Sequence, residues 1–177
     1  MNWVPRRAVP ADAGELVRLR ALMFEAMGEE PLNGAWRRPC VEHFRRELAT
    51  DRLVCVVVDA PDGQGLACCA LAEVTTRAPR PTNPTGVSAH VSNVSTDPRW
   101  GRSGFARVTM RHLLAELDRR GVPTAALHAT ADALPLYESL GFRPSGAGVE
   151  LRRSSVRAPV AFPSGHGPVD PVPPSRG

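Results

Sequence analysis

The fold is decided by residues 96–107, which read TDPRWGRSGFAR. A predicted strand leads into this stretch (89–96, AHVSNVST), and a helix with an apolar face is predicted to follow the turn (104–120). Strand, glycine-containing turn and helix in this order are typical of the first half of a βαβ unit. Backbone N–H groups at such a helix start lack partners and carry the positive end of the helix dipole, which favours an anion such as a diphosphate.

Upstream of this unit, the sequence predicts a short strand, two helices and a hairpin. Asp12 with Glu15 three residues later has the pattern of a capping box, which predicts a helix start. Residues 53–59 (LVCVVVD) and 66–75 flank the turn Pro61-Asp62-Gly63 and predict the hairpin. The other expected elements are a strand over 4–9, a first helix with Leu16, Leu19, Met23 and Ala26 on one face, and a second helix over 36–48.

Downstream, the pattern predicts a strand over 122–129, a helix over 133–140 capped by Asp132 and ended by Gly141, and a last strand over 142–153. Residues 77–86, with three prolines, predict a surface loop. The expected fold is a single α/β (α+β) domain over 1–157, with a mixed, mostly antiparallel twisted sheet flanked by about four helices. Residues 158–177 hold six Pro and three Gly and predict a disordered tail.

The composition excludes several kinds of function. All 22 basic residues are Arg, so no Walker A loop and no lysine Schiff base is available. The net charge is +4, but the arginines are scattered and aromatic residues are few, which argues against nucleic-acid binding. No apolar run is long enough to span a membrane. Because there is also no apolar h-region behind Arg6 and Arg7, the sequence predicts a cytoplasmic location. Four cysteines without metal-site spacing predict reduced core thiols and no bound metal.

The turn resembles the acyl-coenzyme A (acyl-CoA) loop of the GNAT superfamily of N-acetyltransferases. Pro98, Trp100, Gly104 and Ala106 are in register with that family's pattern. Residues 135–142 (PLYESLGF) resemble the family's Leu-Tyr-x-x-x-Gly-Phe element, so the resemblance covers about residues 4–153. One position departs from the pattern: Gly101 stands where the family carries Arg or Gln, and Arg99 and Arg102 are the candidate substitutes.

The resemblance implies an acetyltransferase in which a primary amine attacks the thioester of acetyl-CoA directly. It implies that the main chain of Val94, Ser95 and Thr96 pairs with the pantetheine arm. It also implies that Tyr137 is the general acid, protonating the leaving thiolate; a phenol stays protonated at neutral pH. The remaining residues expected to bind the co-substrate are Arg102, Ser103, Gly104, Phe105, Ala106, Arg107 and Thr130.

Three questions stay open at this stage. The general base could be His128, His90, Glu73 or a water chain. The acceptor could be a small amine, an antibiotic, a peptide N-terminus or a lysine side chain; Glu25, Glu29 and Glu30 either favour a cationic amine or form a solvated acidic face. The chain could also be a non-catalytic acyl-CoA-binding or regulatory domain in which Gly101 marks a degenerate site. The family resemblance also suggests a homodimer.

Overall fold

The computed structural model describes residues 4–28 and 34–144 of the 177-residue chain. Its regular elements alternate in the order expected of a mixed α/β domain. The bounds are β1 Arg6–Arg7, α1 Ala13–Ala26, α2 Arg37–Glu47, β2 Leu53–Asp59, β3 Leu66–Thr76, β4 Val87–Thr96, α3 Phe105–Arg119, β5 Ala125–Leu127 and α4 Leu134–Ser139, with short 3₁₀ turns at Pro10–Asp12, Pro98–Trp100 and Ala131–Ala133.

The described strands form one sheet in the order β1-β2-β3-β4-β5. The first three pairs of neighbours are antiparallel, and β4 and β5 are parallel with α3 connecting them. The predicted α/β class, the mostly antiparallel mixed sheet and the βαβ unit are therefore confirmed. The hairpin is also confirmed, and its first strand has the predicted bounds.

Helices cover both faces of the sheet because β2 is apolar on both sides. Leu53, Cys55 and Val57 pack in one cluster with residues of α1 and α2. Val54 and Val56, one step along the strand, pack in a second cluster with α3 and Tyr137 of α4. Successive side chains of a strand point to opposite faces, so a continuous apolar run predicts a strand buried on both sides.

The predicted capping box at Asp12 and Glu15 is wrong, although α1 does begin at Ala13. The Asp12 carboxylate binds the Arg6 guanidinium at 2.8 and 3.0 Å and accepts from the Val9 N–H. Glu15 Oε2 instead accepts from the N–H of Leu66, 3.0 Å away on β3. Ion pairing and a tertiary contact have thus replaced the local cap.

Three other element predictions also need correction. β1 has two residues instead of the predicted 4–9, and Val4 is exposed. β5 has three residues instead of 122–129, because Val122 donates its N–H to Leu117 O and its side chain packs in the core below α3. Asp132 makes no side-chain cap; it lies in the 3₁₀ turn before α4.

Some predictions fall outside the described residues. The last strand (142–153) is described only as far as residue 144, where it has no strand conformation, and the proline-rich tail (158–177) lies wholly outside. The domain boundary at 157 therefore stays a prediction. Within residues 4–28 and 34–144, no helix is both long and apolar enough to cross a bilayer, and no cluster of His, Cys, Asp and Glu is arranged to hold a metal ion.

Candidate active site

Strand β4 lies between two partner strands over only part of its length. It pairs with β3 as far as Thr96, but its pairing with β5 ends at Val91, opposite Leu127. The β3–β4 register shifts between Cys69 and Leu71, and Asn93 at this irregularity has a left-handed φ of 51°. In the described part of the chain, the β5-facing edge of residues 92–96 therefore has no strand partner. Such an edge can accept an extended ligand as an additional strand.

A cleft of about 530 Å³ opens beside this edge. Its walls are the end of β4, the segment after β5, α4, and the last turns of α1. The structure brings five of the predicted site residues together along this cleft, namely Val94, Ser95, Thr96, Thr130 and Tyr137. The contribution of α1, through Leu22, Met23, Ala26 and Met27, was not predicted residue by residue. These four apolar residues continue the apolar face of the helix beyond the turns that pack in the core. That spacing is the sequence signal that could have identified them.

The side chains at the end of β4 have partners inside the protein. The Ser95 hydroxyl donates to Leu19 O at 2.8 Å, and the Thr96 hydroxyl donates to Cys68 Sγ at 3.2 Å. Val94 is partly buried against the α3 side of the core. What the strand end offers a ligand is therefore its main chain, as the predicted role requires.

The other predicted binding residues lie in the loop after β4 and in the first turn of α3. Val108 of α3 donates its N–H to Gly104 O at 3.1 Å. Ala106 and Arg107 lie in the first turn of the helix, where N–H groups have no intrahelical acceptor. Arg102 and Gly104 have left-handed φ values of 59° and 82°. A Cβ on Gly104 would meet no atom within 4 Å, so the space above this turn is open to a ligand.

Not every predicted side chain is available at this loop. Phe105 is only 1% exposed in the core, so its ring is not available to a ligand. Arg107 donates to Ser139 Oγ at 2.6 Å and ties α3 to α4. Ser103 Oγ donates to Gly101 O, and Ala106 is partly buried. Arg102 is exposed at the turn, so its guanidinium is accessible to an outer phosphate.

The two arginines suggested as substitutes at Gly101 differ in what they can do. Arg99 is bound to Asp97 through Nε and Nη2 and reaches Asp62 through Nη1 at 3.4 Å. Its guanidinium is therefore held by carboxylates, so Arg102 is the remaining candidate to substitute for the side chain missing at Gly101. Gly101 itself has an ordinary φ of −56°, and an added Cβ would approach Pro98 O at 3.3 Å.

Tyr137 lies at the junction of the cleft and the core. The residue is 8% exposed, and its ring meets Phe142 edge-on with 5.9 Å between ring centres. Burial raises the pKa of the Tyr137 phenol above its usual value, so the hydroxyl is protonated at neutral pH. The cleft therefore has a fixed O–H donor in its wall.

The candidate bases form a cluster near the same cleft. His90 on β4 and His128 after β5 have ring centres 5.7 Å apart, and His128 lines the cleft. Glu73 is the cross-strand partner of His90 on β3. Of the acidic residues expected on the acceptor side, Glu25 is exposed near the end of α1, whereas Glu29 and Glu30 lie outside the described residues.

Comparison with known proteins identifies a family whose domain model matches this chain. Residues 6–145 match the model of the acetyltransferase (GNAT) domain. A solved structure described as a predicted acetyltransferase with acetyl-CoA, from Clostridium acetobutylicum, has a TM-score of 0.75 at 24% identity and covers 85% of this chain and 96% of that one. A GCN5-related N-acetyltransferase from Ralstonia eutropha JMP134 has a TM-score of 0.73 at 24% identity, covering 85% and 99%.

Curated relatives match over shorter segments. The [ribosomal protein bS18]-alanine N-acetyltransferase of Escherichia coli K12 is 44% identical over 57 residues, which are 30% of this chain and 38% of that protein. A mycothiol acetyltransferase from Brachybacterium faecium is 41% identical over 71 residues, which are 38% of this chain and 22% of that protein. The matched segments thus span well under half of either relative.

A splayed parallel strand pair, a glycine-containing loop at a helix start and a buried tyrosine are the features expected of an acyl-CoA-dependent acyltransferase. The chain belongs to the GNAT family of acetyltransferases, because the family's domain model matches most of the chain's length. The predicted family and its co-substrate, acetyl-CoA, are therefore confirmed. The open space at Gly104 and the unpaired edge of β4 fit that co-substrate.

Proposed function

We propose that this protein transfers the acetyl group of acetyl-CoA to a primary amine of a small molecule or peptide, by direct attack of the amine on the thioester. The observation that carries the proposal is the single cleft that holds the unpaired end of β4 and the hydroxyl-bearing Tyr137. The matched family domain and the acetyltransferase relatives support an enzyme over a non-catalytic acyl-CoA-binding domain.

The chain's own groups divide the work of binding between two places. The main chain of Val94, Ser95 and Thr96 pairs with the extended pantetheine arm. The loop amides of residues 102–107 and the positive end of the α3 dipole hold the diphosphate, and Gly104 lets it approach the backbone. Thr130 borders the cleft on the opposite wall.

The transfer needs one proton removed and one supplied. As the amine nitrogen forms its bond to the acetyl carbon, the bond from that carbon to sulfur breaks and the electron pair leaves with the sulfur. Tyr137 donates its hydroxyl proton to this thiolate. His128, in the same cleft and beside His90, takes the proton that the amine nitrogen loses, since imidazole is a general base suited to neutral pH.

Replacing His128 with Gln tests this assignment. We expect kcat to fall by about 10²-fold, as removal of a general base does, with little change in the Kd of acetyl-CoA. The matched control is His112→Gln, an exposed histidine of α3, which should keep its activity. Equal kcat for His128→Gln and His112→Gln would remove His128 from the mechanism.

The acceptor is best sought first among peptide N-termini. The Escherichia coli relative is named for the alanine of a ribosomal protein, and the cleft here is lined in part by apolar residues of α1, such as Leu22 and Met23. These residues suit a small apolar group beside the amine better than a polycation. We also propose that the protein acts in the cytoplasm, consistent with its four free cysteines, and as a homodimer.

Calorimetric titration of the purified protein with acetyl-CoA tests the proposed function without knowledge of the acceptor. Free CoA, ATP and a short DNA duplex serve as comparisons, each at two salt concentrations. Saturable micromolar binding of acetyl-CoA and CoA, but not of ATP or DNA, is expected. Binding of the duplex that weakens steeply with salt would indicate a nucleic-acid-binding domain instead. Absence of acetyl-CoA binding would refute the proposal.

If CoA binds, the next assay is acetyl transfer to a panel of amines. The panel contains a peptide with N-terminal alanine, the same peptide with a blocked N-terminus and an internal lysine, and small polyamines. We expect acetylation of the free N-terminus. Binding without transfer to any of these amines, together with indifference to Tyr137→Phe, would favour the non-catalytic alternative.

A further inference from the structure

Helix α1 is joined to the end of β4 by three contacts in succession. Arg18 Nη1 donates to Asp97 Oδ2 at 2.7 Å, Leu19 O accepts from Ser95 Oγ at 2.8 Å, and Arg20 Nη1 donates to Asn93 Oδ1 at 3.3 Å. Three consecutive helix residues therefore hold three alternate positions, two near the end of β4 and one at Asp97, the residue that follows it. Alternate residues of a strand face the same side, so α1 fastens one side of the unpaired segment along its whole length.

Asp97 is the most strongly held of these positions. Its side chain is 4% exposed and accepts from two guanidinium groups, those of Arg99 and Arg18. It also accepts from the Arg99 N–H at 3.0 Å. Hydrogen bonds from Arg99, and then from Arg18, hold the pKa of the Asp97 carboxyl well below its usual range, so it is ionised at neutral pH. Charge-assisted bonds of this kind are about twice as strong as neutral ones.

The main chain of Asp97 marks the point where strand becomes loop. Its N–H donates to Ala67 O at 2.8 Å as the last bond to β3, and its C=O accepts from Trp100 N–H at 2.8 Å to close the following turn. The direction in which the chain leaves Asp97 therefore sets where the turn at residues 98–100 lies. The position of that turn then determines where the amides of residues 102–107 lie relative to β4.

We propose that Asp97 is a positioning residue for acetyl-CoA, which fixes through Arg18 the angle between the unpaired end of β4 and the loop that follows it. This inference rests on the proposed function. One ligand spans both places, with its extended arm on β4 and its diphosphate at the loop. The two sets of donors must therefore keep one relative placement, and any freedom between them has to be removed again on binding. Asp97 itself need not touch the ligand.

The chain offers a matched control for this role. Glu116 of α3 is also nearly buried, with a side chain 11% exposed, and is also held by two arginines, Arg119 at 2.7 Å and Arg120 at 2.9 Å. Hydrogen bonds from Arg119 and then from Arg120 lower the pKa of the Glu116 carboxyl as well. Glu116 lies near the far end of α3, away from the loop. Glu116→Gln therefore reproduces the loss of a buried, doubly bound carboxylate without disturbing the angle at β4.

The experiment compares Asp97→Asn with Glu116→Gln by two readouts, the melting temperature and the calorimetric Kd of CoA well below that temperature. Both variants should melt earlier than the unaltered protein. The Kd of CoA should rise at least about tenfold for Asp97→Asn and stay within about twofold for Glu116→Gln. A Kd within twofold for Asp97→Asn, or an equal rise for both variants, would overturn the inference.

A second variant guards against a failure of Asp97→Asn to fold. Arg18→Gln removes the other side of the same contact and should raise the Kd of CoA in the same direction. In the double variant the rise should be smaller than the two single effects combined, because both variants lose the Arg18–Asp97 contact. Full additivity would contradict the proposed role. If the unaltered protein does not bind CoA, the proposed function fails, a result independent of any variant.

Discussion

Replacing Gly104 with Glu is expected to abolish binding of acetyl-CoA. Gly104 precedes the first turn of α3 with a φ of 82°, a conformation that L side chains rarely adopt, and the space above it is open. A glutamate there would place a carboxylate where we propose that the diphosphate binds. Repulsion between like charges, together with the loss of that space, should weaken binding by at least about 100-fold, or about 3 kcal/mol.

Gly121→Glu is the control for the backbone cost of this substitution. Gly121 follows α3 at its other end, has a comparable φ of 68° and is equally open, with no atom within 4 Å of an added Cβ. Both variants should lose a similar amount of stability, about 1 kcal/mol, through the strained φ. Calorimetric titration should show normal CoA binding for Gly121→Glu only. Retained affinity in Gly104→Glu would mean that the diphosphate does not bind at this loop.

Replacing Tyr137 with Phe should lower kcat by about 10²–10⁴-fold, the usual effect of removing a general acid, while the Kd of acetyl-CoA stays the same. The ring would keep its edge-on contact with Phe142 and its place in the core, since only the hydroxyl is lost. The measurement is steady-state turnover with a saturating amine, combined with calorimetric titration of CoA.

The corresponding packing control is Phe142→Leu. It disturbs the same aromatic pair without removing a hydroxyl, so it should lower the melting temperature with a much smaller effect on kcat. If Tyr137→Phe turns over as fast as the unaltered protein, the tyrosine is a core residue and the leaving thiolate is protonated by another group.

The elements that local pattern determines were predicted well. β2 was placed to the residue because its β-branched run is unbroken and the turn at Pro61 and Gly63 bounds it. The helix starts were placed within a residue or two, but the caps assigned to Asp12 and Asp132 were wrong. An acidic residue before a helix can cap the helix through its own side chain. The sequence does not show that Arg6 of β1 binds the Asp12 carboxylate instead.

The residues that line the cleft were predictable where they follow a contiguous motif and not where they depend on strand register. Val94, Ser95, Thr96 and Tyr137 come from two stretches whose order is visible in the sequence, and they line one cleft. The nearness of His90 and His128 depends on how far β4 pairs with β5, which their separation of 38 positions does not reveal. The succession of α1 contacts with the end of β4 is likewise set by tertiary packing.

The buried cysteines have a chemical consequence for an enzyme whose product is a thiol. Cys55, Cys68 and Cys69 are free and buried, and burial raises the pKa of each, to about 12 for Cys55. Cys68 and Cys69 lie on β3, where they are the cross-strand partners of Thr96 and Ser95 at the end of β4. Thiol–disulfide exchange requires a thiolate and access to it, and these thiols offer neither. CoA disulfides that accumulate under oxidative conditions are therefore unable to form mixed disulfides with these three residues while the fold is intact.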